Sequence, residues 1–164
     1  MKNQLRTKTG FRKMALIVCT IAMGIFTSCS DDDGGSTTNP TNGKNVKLTI
    51  TVNGAADSDY LSFVAVGSAI SDPSENTIWK VNGTTLTNER AVSLGENEFT
   101  GSTKTYIIES VTPLTTVSVG MQFLTSPERS YTFSYKAEIN GKVVKEENNV
   151  QVTSDNDYTH DYSY

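Results

Sequence analysis

Few side chains in this sequence could carry chemistry, and they lie far apart. The 164 residues include two cysteines, one histidine and one tryptophan. His160 would have to serve any Ser-His-Asp or Cys-His arrangement. It sits instead in an alternating aromatic stretch (Tyr158, His160, Tyr162, Tyr164), and no Gly-x-Ser-x-Gly motif occurs in the chain. His160 therefore reads as an edge-strand or exposed side chain. Zinc needs three or four nitrogen or sulfur ligands, more than the body of the chain offers. Oxygen ligands for calcium are more plentiful, in Asp155-Asn156-Asp157 with Asp161 and in Asp57-Ser58-Asp59. Neither set has the fixed spacing and turn glycine of a defined calcium loop. Asp and Asn also favour turns by bonding their own backbone. A glycosidase-type acid pair needs two carboxyls at a set separation, and the 18 acids single out no pair. The expectation is a non-enzymatic protein without metal or cofactor.

Aromatic rings remain as ligand-binding candidates. Trp79 is the only tryptophan, and Tyr60, Tyr106, Tyr131, Tyr158, Tyr162 and Tyr164 offer further flat faces. Trp79 is singled out as the ligand-facing candidate. Core or cross-strand packing is nevertheless the leading reading for all of these rings, and the ligand-facing role of Trp79 the weaker one.

The charge is unevenly distributed. Residues 1–28 hold Lys2, Arg6, Lys8, Arg12 and Lys13 and no acid, which leaves nine basic side chains against 18 acidic ones, a net of −9, in the remainder. So acidic a body repels phosphate backbones, and no nucleic-acid partner is expected. It gains nothing from anionic lipid either, so membrane attachment must come from elsewhere.

The basic N-terminal stretch leads into an apolar run over 14–26. At about 13 residues the run is shorter than the roughly 20 a membrane-spanning helix needs, and it fits the apolar region of a signal peptide. Small residues Thr27 and Ser28 then precede Cys29. With 1–28 removed, Cys19 is lost, and Cys29 has no partner within the chain for a disulfide. Phe26-Thr27-Ser28-Cys29 resembles the lipobox of bacterial lipoproteins, with Phe26 where an aliphatic residue usually stands. Ser30-Asp31-Asp32-Asp33 resembles the acidic signal that follows the lipidated Cys in surface-exposed lipoproteins of Bacteroidota type. The resemblance covers about residues 1–35. It implies an acylated, palmitate-bearing Cys29 and an outer-membrane protein facing the cell exterior. It also implies a role beside glycan uptake systems, which such lipoproteins often serve. The alternatives are secretion after cleavage near Ser28 and an uncleaved anchor.

Residues 29–45 are acidic and then rich in Gly, Ser, Thr, Asn and Pro, so they read as a solvated, flexible tether. From residue 46 the hydrophobic period is two. Val46, Leu48, Ile50 and Val52 alternate with polar residues, as do Val117, Val119, Met121 and Phe123, and Tyr131, Phe133, Tyr135, Ala137 and Ile139. Residues 60–66 read as a central strand. Residues 78–81, 84–87, 91–94, 104–110, 143–152 and 158–164 read as others. Asn82-Gly83 and Asn140-Gly141 mark two-residue hairpins. In the second, Ile139 should face Lys142 and Ala137 should face Val144. Val144 would then lie on the core face with Glu146 and Asn148 following it, so a bulge or fraying edge is expected there. No helical stripe is evident.

About eight or nine short strands over 46–164 predict one all-β domain, an antiparallel two-sheet sandwich of immunoglobulin-like or transthyretin-like kind, with a closed barrel as the alternative. The leading functional expectation is a surface lipoprotein whose sandwich binds a glycan or protein partner. Assembly through a sheet edge comes second and a small hydrolase last. Cys29→Ala is expected to abolish labelling by palmitate and to move the protein out of the membrane fraction. Continued labelling of the variant would refute the lipidation assignment.

Overall fold

The computed structural model of the protein describes residues 43–164. The expected signal peptide, Cys29 and the tether up to residue 42 lie outside the described residues. Alternation of apolar and polar side chains produces ten strands: β1 (Val46–Asn53), β2 (Tyr60–Ala69), β3 (Trp79–Val81), β4 (Thr84–Leu86), β5 (Ala91–Gly95), β6 (Lys104–Ser110), β7 (Leu114–Leu124), β8 (Ser130–Ile139), β9 (Lys142–Thr153) and β10 (Tyr158–Ser163). They form two antiparallel sheets, ordered β4-β3-β6-β1-β8-β9 and β10-β7-β2-β5. The architecture is the expected two-sheet sandwich, and the open strand orders rule out the barrel.

Each sheet turns one apolar face inward. Leu48, Ile50 and Val52 of β1 meet Leu61, Phe63 and Ala65 of β2 and Val117, Val119 and Phe123 of β7, all buried. Rings bridge the layers. Phe123 and Phe133 stand 4.8 Å apart edge to face, Phe133 and Tyr158 4.5 Å, and Phe63 and Tyr135 6.2 Å. Each such pair adds about 0.5–1.5 kcal/mol beyond its buried area.

One short helix, α1 (Glu96–Phe99), interrupts the strands. The expectation of no helix missed it because a single turn has no periodic stripe to read. Its function is local. The Glu98 carboxylate accepts the Gly95 N–H at 2.8 Å, and Phe99 is driven into the core against the edge of Tyr106 at 5.6 Å.

Both Asn-Gly pairs turn as expected, with positive φ at Asn82 (48°), Gly83 (82°), Asn140 (52°) and Gly141 (76°). Ile139 does face Lys142, but Ala137 faces Lys145 and not Val144. A bulge between Ala137 and Glu138 shifts the register, so Val144 leaves the core face and is half exposed. A second irregularity between Phe133 and Tyr135 restores the phase, so Val152 is buried opposite Tyr131. The second irregularity lies opposite Asn148 and Asn149, where a bulge was expected, and the first, beside Val144, was not foreseen. The body also begins earlier than residue 46. Lys44 pairs with Leu114 through bonds of 2.7 and 3.0 Å, so residues placed in the tether are fastened to the sheet.

Burial raises the Tyr131, Tyr135 and Tyr158 phenols above their ordinary value of 10.0, helped by the Asp59 charge, the Tyr164 hydroxyl and the Tyr162 hydroxyl respectively. The unfolded chain would ionise these groups near that value while the folded chain holds their protons. Their contribution is therefore complete below it and is lost as pH rises above it. Urea midpoints should be level to about pH 9 and fall by about pH 11. Equal midpoints at the two ends of that range would contradict this packing.

Candidate functional site

The two outward faces of the sandwich are unlike. On the six-stranded sheet, Lys80, Glu109, Lys47 and Glu138 line up across β3, β6, β1 and β8 in alternating charge. Lys80 and Glu109 pair at 3.3 Å, as do Lys136 and Glu138. Thr51 and Thr105 join hydroxyls at 2.9 Å beside them. Such exposed pairs contribute about 0–1 kcal/mol each, and their effect is to keep the face solvated.

The four-stranded sheet presents three cross-strand rows: Thr159, Gln122, Ser62 and Gly95; then Asp161, Gly120, Val64 and Ser93; then Ser163, Ser118, Val66 and Ala91. Asp161 is the only charged residue in the grid. Strand alternation produces this face, because Leu61, Phe63, Ala65, Val119, Met121 and Phe123 take the inward positions between these residues. At its centre a trough of about 230 Å³ is lined by Ser62, Val64, Gly120, Gln122, Thr159 and Asp161. That is below the roughly 300–1,000 Å³ of pockets that enclose small ligands, so a partner would rest on this face and not be swallowed by it. Gly120 makes the depression, because a Cβ there would stand 3.1 Å from Asp161 Oδ1. Asp161 forms no hydrogen bond or ion pair with a charged or polar side chain of the described residues. One row further along β2 lies a second, separate depression lined by Tyr60, a residue 50 % exposed, with Ser58, Leu124, Thr125 and Ser126.

The residues singled out from sequence are dispersed. Trp79 is fully buried, its indole N–H donating to the Arg90 carbonyl at 2.9 Å, so it offers no face to a ligand. Gly67 leaves room for it, since a Cβ at 67 would lie 2.9 Å from the Trp79 ring. His160 is exposed between Tyr158 (4.6 Å) and Tyr162 (5.7 Å), on the inward-facing row of the edge strand β10. Tyr158 and Tyr162 stack on Phe123 and Tyr135, so these rings close the side of the sandwich and form no open platform. Cys29 lies outside the described residues. Of the two oxygen-rich sets, Asp161, carried on β10, lines the trough, and Ser58 stands beside Tyr60. The trough was missed from sequence because it is assembled from small residues of three strands, whose neighbourhood only the register reveals.

Asp59 is buried, and its carboxylate is already satisfied. Oδ2 accepts the Ala56 N–H at 2.8 Å, Oδ1 accepts the Thr125 hydroxyl at 2.6 Å, and Arg129 Nε stands 3.5 Å away. This ties the loop before β2 to the loop after β7. Among the described residues no group of three His, Cys, Asp or Glu side chains is placed to hold a metal ion.

No family model matches the chain, and no curated protein matches it. Solved structures share its fold. A DUF4425 family protein from Bacteroides ovatus superposes with a TM-score of 0.52 at 11% identity, over 74% of this chain and 94% of that one. A protein from Parabacteroides distasonis, solved in its calcium-bound form, gives 0.51 at 17%, over 81% and 98%. A DUF4425 domain of unknown function from Bacteroides vulgatus gives 0.50 at 14%, over 75% and 94%. At these identities the likeness is one of fold.

Arg129 already stands against Asp59, and no cluster of three acids that could hold a metal is present among the described residues. Thermal melts in calcium and in chelator should therefore superimpose, whereas Asp59→Ala should cost about 2–3 kcal/mol in either. A melt raised by calcium would overturn this assignment.

Proposed function

We propose that this chain is a lipid-anchored, surface-exposed binding module without catalytic activity, and that it meets its partner through the outward face of β10, β7, β2 and β5. The observation that carries the reading is the contrast between the two faces. One carries the ion pairs Lys80–Glu109 and Lys136–Glu138 with Lys47 between them, set among threonines and serines. The other has a single carboxylate among hydroxyls, an amide and small apolar groups, with Val66 43 % exposed on it. Faces low in charge lose little solvation on contact and are the usual centres of interfaces.

The chemistry of the trough favours a glycan. Asp161, Gln122, Thr159 and Ser62 offer acceptors and donors at one level, matched to vicinal hydroxyls, and Tyr60 supplies a ring at one end for a sugar to stack on. Anchoring through Cys29 rests on the FTSC and SDDD resemblance and would place this face outside the cell. Edge-to-edge assembly gains less support. The long edge strand β9 carries two register shifts, and Lys145, Glu146 and Glu147 stand along it, features that blunt an edge against pairing.

The test is an array of neutral oligosaccharides probed with the wild-type protein and with Gly120→Val. Valine suits a strand and would fill the trough, displacing only the exposed Asp161 side chain. Array binding should fall at least about tenfold, a loss of about 1.4 kcal/mol, with the melting temperature nearly unchanged. An array left blank by the wild type, or bound equally by the variant, would refute the glycan reading.

A further inference from the structure

The chain enters the body at one end of the sandwich, and the exposed apolar side chains gather there. Gly43 lies under Pro113 and Ile70, so closely that a Cβ would stand 2.5 Å from Pro113 Cβ. Asn45 is held by the β8–β9 turn, its N–H on Asn140 Oδ1 and its carbonyl on the Asn140 N–H, both at 2.8 Å. Around these two contacts stand Ile70 (36 % exposed), Val111 (49 %), Val143 (53 %) and Val144 (49 %). Those are four of the six large hydrophobic residues exposed on the described body. Val143 faces outward opposite Glu138, and the other three are not placed by alternation. Ile70 and Val111 sit just beyond strand ends, and the bulge after Ala137 turns Val144 outward.

Charge is graded along the same axis. The far end carries Asp57, Glu96, Glu128, Asp155 and Asp157, all exposed, with Lys104 and Arg129 against them. At the entry end Lys44, Lys142 and Arg90 offset Asp72, Glu75 and Glu89. An anionic bilayer therefore repels the far end and leaves the entry end free to approach. Cys29 precedes Gly43 by 14 residues, which even fully extended span no more than about 50 Å.

The geometry points to the entry end as a lipid-contacting surface. Val111, Ile70, Val143 and Val144 rest in the interface of the membrane that the acyl chains of Cys29 enter, and the trough and acidic end are turned to the exterior. This inference rests on the lipid-anchor reading. It adds an orientation that lipidation alone does not require, since a tethered body can otherwise tumble.

The test uses the full chain, produced with its anchor and reconstituted into phosphatidylcholine–phosphatidylglycerol vesicles with or without brominated acyl chains. Val111→Trp reports from the entry end and Ser126→Trp from the far end, while the buried Trp79 supplies a constant background measured in the unsubstituted protein. Emission from position 111 should be quenched at least about twofold by brominated lipid and shifted to the blue, and emission from 126 should be unaffected. Unquenched emission from 111 in protein that floats with the vesicles would overturn the orientation and leave the anchor standing. Equal quenching at both positions would overturn it too. Protein that neither takes up palmitate nor floats would sink the anchor and the orientation with it.

Discussion

Phe123, Phe133 and Tyr158 meet at ring separations of 4.5 to 6.3 Å, each from a different strand. This seam joins the four-stranded sheet to the six-stranded one, and everything outside it follows from that joining. Once the inward positions of β7, β8 and β10 are committed to rings, strand alternation sends Gly120, Gln122, Thr159 and Asp161 outward on one layer and Lys136 and Glu138 outward on the other. The character of both exposed faces is thus set by the packing between them. Neither face can slip by one residue without burying charge or exposing rings, so the register is held from inside.

Much of this was legible in the sequence. Period-two alternation located β1, β7 and β8, an apolar run on both faces located β2, and the Asn-Gly pairs located two hairpins, because all of these signals are local. What escaped was whatever depends on neighbours distant in the chain. Val144 was assigned to the core by counting from the turn, and one bulge reversed it. Trp79 could be core or ligand-facing until the approach of Gly67 and the Arg90 carbonyl showed it enclosed. The calcium-like Asp59 became a structural carboxylate once Thr125 and Arg129, more than sixty residues away, closed on it. The trough had no sequence signal at all, because Gly120 and Ser62 stand out only when Asp161 and Gln122 are beside them.

The same physical logic gives the molecule three distinct surfaces. Ion pairs hydrate one face, small and hydroxylated side chains leave the other low in charge, and exposed Ile70, Val111, Val143 and Val144 mark the end where the chain arrives. Asp161 belongs to the first chemistry a partner would meet, and the valines to the last.

The claim that the four-stranded face is the contact surface is tested most directly by a photoreactive amino acid placed at Ser93 or at Thr49 on intact producing cells. The two positions lie on the outward faces of opposite sheets. Adducts formed from position 93 and absent from position 49 are the predicted result. Adducts from position 49 alone, or in equal yield from both, would contradict the account.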